Sequence, residues 1–176
     1  MNKQPVLITL GSNIAPEQNL RRAVRMLKQN YRLEWRAVSP VYESAPVDAA
    51  GGIATDQPLF LNAAALVETD FYQPYRFKFE VLRFLERCLG RVRTADKFTP
   101  RPIDLDLALF GEQVLDQPGL CVPDPDILTR AHVALPLADL APDLVHPITG
   151  QTLAEIAAPL RANTTLKLRP DFLWED

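Results

Sequence analysis

The stretch Asp104-Leu105-Asp106-Leu107-Ala108-Leu109-Phe110 constrains this chain more than any other. On an extended strand alternate side chains share a face, so the two carboxylates point one way and Leu105, Leu107 and Leu109 point the other. The leucine face needs a core to cover it, and the acidic face needs a place that tolerates paired negative charge. A hard dication such as Mg²⁺ between the two acids relieves their repulsion. Two solvated acids on an edge strand are the plainer reading of the same spacing.

The rest of the chain supplies partners for that strand. Residues 6–10 form a short β-branched and aliphatic run that stops at Gly11-Ser12-Asn13, and from Pro16 onward Leu20, Ala23, Val24 and Leu27 mark one helical face. Residues 33–42 alternate Leu33, Trp35 and Ala37 against Glu34, Arg36 and Val38, and 59–67 are again extended, which predicts two strands. Between them 46–58 (PVDAAGGIATDQP) is poor in large apolar residues and reads as a long loop. Over 74–89 the spacing of Phe77, Val81, Phe84, Leu85 and Cys88 or Leu89 predicts a helix of about four turns, ended by Gly90 as a C-cap. After the strand at 104–110, Gly111-Glu112 reads as a turn into a short strand at 113–115. The order β-α-β-β-α-β predicts an α+β fold, a ferredoxin-like sandwich with an antiparallel sheet and both helices on one face. Further strands and short helices near 126–137 and 152–160 follow. The expected organisation is one domain over 1–162 and a polar C-terminal tail over 163–176.

Composition limits the function classes. With 176 residues, 47% of them hydrophobic, the chain can bury a sizeable core without disulfides or a structural metal. A charged fraction of 23% and a net charge of -3 argue against disorder and against binding nucleic acid by bulk electrostatics. Sixteen prolines against seven glycines imply fixed rather than flexible connections. Cys88 and Cys121 lack a CxxC spacing and read as free core thiols of a protein in a reducing cytoplasm. The opening apolar run is too short for a signal sequence or membrane span. The expected partners are small molecules, with no nucleic acid and no membrane, and the expected state is a monomer, with a dimer left open.

Charge is segregated around the acidic strand. The preceding segment, Gly90-Arg91-Val92-Arg93-Thr94-Ala95-Asp96-Lys97-Phe98-Thr99-Pro100-Arg101, brings Arg91, Arg93, Lys97 and Arg101 just ahead of Asp104 and Asp106. Cations neutralise phosphoryl oxygens and guanidinium groups bind them bidentately, so acids beside arginines suit a metal-bound polyphosphate. Alone, the basic segment reads as a solvated loop. No P-loop and no kinase glycine loop is present, and His132 and His146 form no zinc-binding pair. Gly11-Ser12 followed by a DxD is also found in polymerase-like nucleotidyltransferases, but there the elements are close in sequence.

The blocks Gly11-Ser12-Asn13, Phe60-Leu61-Asn62-Ala63-Ala64, Leu89-Gly90-Arg91-Val92-Arg93, Pro100-Arg101-Pro102-Ile103-Asp104-Leu105-Asp106 and the stretch from Val122-Pro123 to Leu144 resemble, in order, the 6-hydroxymethyl-7,8-dihydropterin pyrophosphokinases of folate biosynthesis. The resemblance implies transfer of pyrophosphate from MgATP to the pterin hydroxymethyl group, leaving AMP. It implies that Asp104 and Asp106 hold two Mg²⁺ ions and that Arg91 and Arg101 stabilise charge on the transferred group. Glu86, Arg93, Lys97, Asp124 and Arg130 would join those arginines on the nucleotide side. Ser44, Val47 and Asn62 would contact the pterin edge, with the rings of Phe60 and His132 on its faces. Loops 46–58 and 93–100 would close over the nucleotide. Two positions depart from the family pattern: Asp124 stands where a histidine is usual, and His132 where a phenylalanine is. An anion at 124 should repel the triphosphate unless a metal or a cation such as Arg130 neutralises it. A divergent paralogue acting on a modified pterin, or a non-catalytic nucleotide- or pterin-binding relative, is the alternative reading.

Overall fold

The computed structural model describes residues 3–46, 52–53, 57–93 and 99–175. Val47 and Lys97, and most of the two loops expected to close over the nucleotide, lie outside the described residues. Eight strands are described: β1 (Gln4–Ser12), β2 (Leu33–Val38), β3 (Tyr42–Ser44), β4 (Phe60–Thr69), β5 (Asp104–Phe110), β6 (Leu115–Gln117), β7 (Leu120–Val122) and β8 (Lys167–Leu168). The main sheet runs β5-β1-β4-β3-β8, with β2 also on β4, and every described pairing is antiparallel. Strands β6 and β7 form a separate hairpin.

Helices cover both faces of the sheet. On one face α1 (Pro16–Gln29) and α2, the helical run 74–88, bury Leu20, Val24, Leu27, Phe77, Leu82 and Leu85 against Val6, Ile8, Leu10, Leu105 and Leu107. On the other, α3 (Ala131–Leu140) and α4 (Leu153–Ala162) bury Leu135, Leu137, Leu153 and Ile156 against Leu7, Ala64 and Leu109. A sheet covered on both sides explains the unbroken apolar run of β1.

The structure corrects several expectations. The alternation of β5 breaks at Ala108, where the register against β1 slips between Leu7 and Ile8. That β-bulge adds one residue, so Leu109 joins Ala108 on the α3 face while Phe110 joins Leu105 and Leu107. Upstream of the bulge Asp104 and Asp106 keep their common face. The strand expected over 33–42 is two strands, because Pro40 cannot donate to the ladder. The short strand expected at 113–115 starts at Leu115.

Helix α2 differs most. Its turns at Pro74–Arg76 and Arg83–Cys88 flank a π-helical segment, Phe77–Leu82, with Arg83 N–H donating to the Lys78 carbonyl. The wider turn shifts the helical phase. Leu82 and Glu86 turn inward, whereas Phe84 is 50% exposed and Cys88 lies at the surface. Cys121 is exposed as well, so neither cysteine is a core thiol.

The tail packs on the domain. Strand β8 pairs with β3, Arg169 reaches Glu17 and Glu43, Phe172 is buried, and Trp174 Nε1 donates to the Ser39 carbonyl at 3.0 Å.

Leu107→Ala should therefore cost about 2–5 kcal/mol of stability, whereas Phe84→Ala should stay within about 0.5 kcal/mol, both read from urea unfolding midpoints. Equal costs would contradict the phase assigned to α2.

Candidate active site

One row of the sheet organises the site. Across it Asp104 on β5 faces Gly11 on β1, Gly11 faces Asn62 on β4, and Asn62 faces Tyr42 on β3. With strands about 4.8 Å apart, Asp104 and Asn62 are held about 10 Å from each other by backbone pairing alone. Gly11 leaves the floor between them low: a Cβ there would lie 3.7 Å from Asn62 Oδ1 and 4.0 Å from Asp104 Cβ. Asp106 comes next along β5, facing Thr9.

Above this floor is a cleft of about 310 Å³. It brings together Ser44, Phe60, Asn62, Arg101, Asp104, Asp106, Asp124, Arg130 and His132 of the residues expected at the site. The start of α3 supplies His132, and the short 3₁₀ turn Pro125–Leu128, capped by Asp124, supplies the adjoining wall.

The β4 end of the cleft is ordered by local hydrogen bonds. Asn62, almost fully buried, donates through Nδ2 to Ser44 Oγ at 2.9 Å and to the Tyr42 carbonyl at 3.4 Å. Its Oδ1 points toward Gly11. The Arg101 guanidinium lies 5.3 Å from the centre of the Phe60 ring. Burial lowers the pKa of His132, so the imidazole is neutral at pH 7 and presents an uncharged ring.

Arg101 is aimed by the Gly11-Ser12-Asn13 turn. Asn13 Oδ1 accepts from the Arg101 backbone N–H at 2.7 Å, Asn13 and Ile14 N–H groups donate to the Arg101 carbonyl, and Ser12 Oγ donates to the Pro102 carbonyl at 2.6 Å. Ser12 is wholly buried and committed to that bond, which removes the nucleotidyltransferase-like reading of Gly11-Ser12. Arg101 Nη1 then lies 3.0 Å from Asp104 Oδ2.

Three expected residues sit behind the cleft. Glu86 is 1% exposed, and its carboxylate accepts from Arg91 Nη1 at 3.1 Å, Arg93 Nη2 at 2.7 Å and the Leu105 N–H at 3.0 Å. Arg91 Nη1 also donates to the Ile103 carbonyl at 2.8 Å and contacts Asp104. Arg91 thus touches the cleft through Asp104, and it also lines a separate pocket with Arg83, Glu86, Arg87 and Arg93.

Asp106 keeps 40% of its side chain accessible, but it faces the narrow cleft rather than bulk water. Burial and then repulsion from Asp104 push its carboxyl pKa up, opposed by Lys78. Asp124 is raised from 3.8 to about 6, chiefly by burial, against a bond from the Asp126 N–H, with Asp106 and Asp126 adding repulsion. The Asp104 and Asp106 carboxylates are hard oxygen donors on one face of β5, the donor type a hard dication takes. The cation acting on Asp124 is Lys78 of α2, whereas Arg130 stands 4.0 Å from Asp126. Sequence reasoning did not find Lys78, because a lysine following a core phenylalanine reads as the solvated side of a helix.

The family model for 7,8-dihydro-6-hydroxymethylpterin-pyrophosphokinase matches residues 7–142. The chain belongs to that family. It is 41% identical over 156 residues to the 2-amino-4-hydroxy-6-hydroxymethyldihydropteridine pyrophosphokinase of Pseudomonas aeruginosa, covering 88% of this chain and 91% of that protein. It is 36% identical over 163 residues to the folic acid synthesis protein fol1 of Pneumocystis carinii, of which it spans 20%. The fold is shared with the HPPK-DHPS protein of Plasmodium falciparum, with a TM-score of 0.68 at 13% identity over 92% of this chain and 45% of that one. No described helix is long and apolar enough to cross a membrane.

Glu86→Ala should lower stability by about 3–5 kcal/mol, because it leaves the nearly buried Arg91 with one carboxylate fewer and the Leu105 N–H unpaired; thermal or urea unfolding reads this directly. Asp124 binds its proton more tightly folded than unfolded. In metal-free protein its contribution is therefore favourable below its unfolded pKa and is lost as pH rises from 3.8 through about 6. Asp124→Asn keeps an acceptor for the Asp126 N–H and should gain about 1–2 kcal/mol near neutral pH, after allowance for partial exposure, and nothing near pH 3.

Proposed function

We propose that this cleft transfers the pyrophosphoryl group of MgATP to the hydroxymethyl oxygen of 6-hydroxymethyl-7,8-dihydropterin, with AMP as the second product, in folate biosynthesis. Family membership supports the reaction class, and one observation carries its placement: Asp104, Asp106 and Arg101 share a cleft with Asn62, Phe60 and His132. The chain spans only a fifth of the fungal fol1 protein, so the reading is confined to the pyrophosphokinase step.

Asp104 and Asp106 would hold the divalent cations, two Mg²⁺ by the family resemblance. When bound, these supply neutralisation and alignment of the phosphate oxygens. The chain's own residues do the rest. Arg101, fixed by Asn13 and Ser12, presents its guanidinium beside the acids, where negative charge grows on the transferred group. Asn62 offers an amide to the pterin edge, with Ser44 fixing its orientation. Phe60 and the neutral His132 supply ring faces for a flat, uncharged heterocycle. The hydroxyl oxygen forms a bond to the β-phosphorus, the bond from that phosphorus to the α–β bridging oxygen breaks, AMP leaves with that oxygen, and the hydroxyl proton is released. Holding both substrates in one orientation is itself a large part of the rate enhancement. Arg130 lines the nucleotide side directly, Glu86, Arg91 and Arg93 support it from behind Asp104, and Lys97 and Val47 keep the roles the family resemblance implies. The strand order β5-β1-β4 with β2 and β3 supports the ferredoxin-like assignment of the core.

Mixed with MgATP and the hydroxymethyl dihydropterin, the protein should release AMP and not ADP. Asp104→Asn and Asp106→Asn should each abolish that release while the protein stays folded. Arg101→Ala should raise the barrier by about 2–4 kcal/mol, seen in kcat. AMP formation surviving in both aspartate variants would overturn the placement.

A further inference from the structure

Lys78 lies in the π-helical segment of α2, at i, i+4 and i+8 spacing with the inward-facing Leu82 and Glu86. Its side chain is only 14% exposed, and its Nζ is 3.4 Å from Asp106 Oδ1. Its charge also acts on Asp124 and on Cys121 of the β6–β7 hairpin. Holding a flexible four-carbon stem in this position costs rotamer entropy, and at 3.4 Å the contact is a charge pairing rather than a tight hydrogen bond.

The other acids of the cleft have different partners. Asp104 is paired with Arg91 and Arg101, and Asp126 stands near Arg130. Asp106 is paired with Lys78. An ammonium on Asp106 occupies the electrostatic position of the divalent cation and repels it. A dication arriving at Asp106 would displace the ammonium and leave it for another anion, of which the phosphate chain of the proposed reaction is one.

We propose that Lys78 is a built-in counter-ion of this site: it pairs with Asp106 in the free protein, yields that carboxylate to the divalent cation, and then pairs with the phosphate oxygens of ATP beside Asp124. The last step rests on the function proposed above. The pairing with Asp106 does not.

The two halves predict effects of opposite sign, which loss of a merely structural residue would not produce. Mn²⁺ binding to the protein alone, followed by electron paramagnetic resonance, should be about 10-fold tighter in Lys78→Met, since a nearby repelling charge is gone. Binding of a non-hydrolysable ATP analogue with Mg²⁺ should be about 10-fold weaker in the same variant, with KM for ATP rising and KM for the pterin unchanged. Lys78→Arg, which keeps the charge, should stay within about 3-fold of the wild type in both measurements. Mn²⁺ affinity that is unchanged, weaker or undetectable in Lys78→Met, or Lys78→Arg behaving like Lys78→Met, would overturn the assignment. Wild-type protein that releases no AMP would sink the proposed reaction, while the Mn²⁺ comparison would still decide the pairing with Asp106.

Discussion

The buried carboxylate of Glu86 is the point on which the active end of this protein depends. It gathers Arg91, Arg93 and the Leu105 N–H, and so ties α2, the chain leaving that helix and the start of β5 to one another. Arg91 extends the tie to the Ile103 carbonyl and to Asp104. A buried ion pair of this kind adds little net stability over an apolar replacement of the same shape, because desolvation offsets most of the attraction. Its consequence is registration. With both groups removed from water, any slip of α2 along β5 would strand a charge, so Asp104 is held relative to the helix that carries Lys78.

A second clamp works on the opposite side of Asp104. The segment Ser12-Asn13-Ile14 at the end of β1 grips the backbone of Arg101 and Pro102 through three donors and one acceptor. Arg101 therefore has its backbone fixed while its guanidinium rests between Asp104 and the Phe60 ring. Asp104, caught between Arg91 behind and Arg101 in front, has its charge divided between a buried partner and one that lines the cleft. Asp106, two residues on, has neither of them and meets Lys78 instead.

Much of this was legible in the sequence because it is written in short-range patterns. The alternation of Asp104 and Asp106 with leucines fixed their common face, and the helical spacings located α1 and α2. What failed did so where one extra residue changes a phase. The bulge at Ala108 moved Leu109 to the other face, and the π segment turned Phe84 and Cys88 outward and Glu86 inward; neither insertion has a compositional signature. The family resemblance brought Asp124 to notice, and its sign called for a metal ion or a nearby cation such as Arg130. The cation whose charge acts on it is tertiary: Lys78 is 46 residues before Asp124, and no pattern within α2 distinguishes it from a solvated lysine.

The sheet also explains why the two ends of the cleft differ in chemistry. Backbone pairing sets Asp104 and Asn62 on one row with a bare glycine between them, and this spacing cannot change without breaking the ladder. On the β5 side Asp104, Asp106 and Arg101 concentrate charge, which suits that end to the cations and phosphate chain of the proposed reaction. On the β4 side the Asn62 amide, the Ser44 hydroxyl, the Phe60 ring and a neutral imidazole offer hydrogen bonds and ring faces but no net charge. Under the proposed reaction the heterocycle would rest at the neutral end and its hydroxymethyl arm would cross the gap over Gly11. A Cβ at position 11 would make only ordinary contacts with Asn62 and Asp104, at 3.7 and 4.0 Å, so a side chain longer than that of alanine is what would fill the gap.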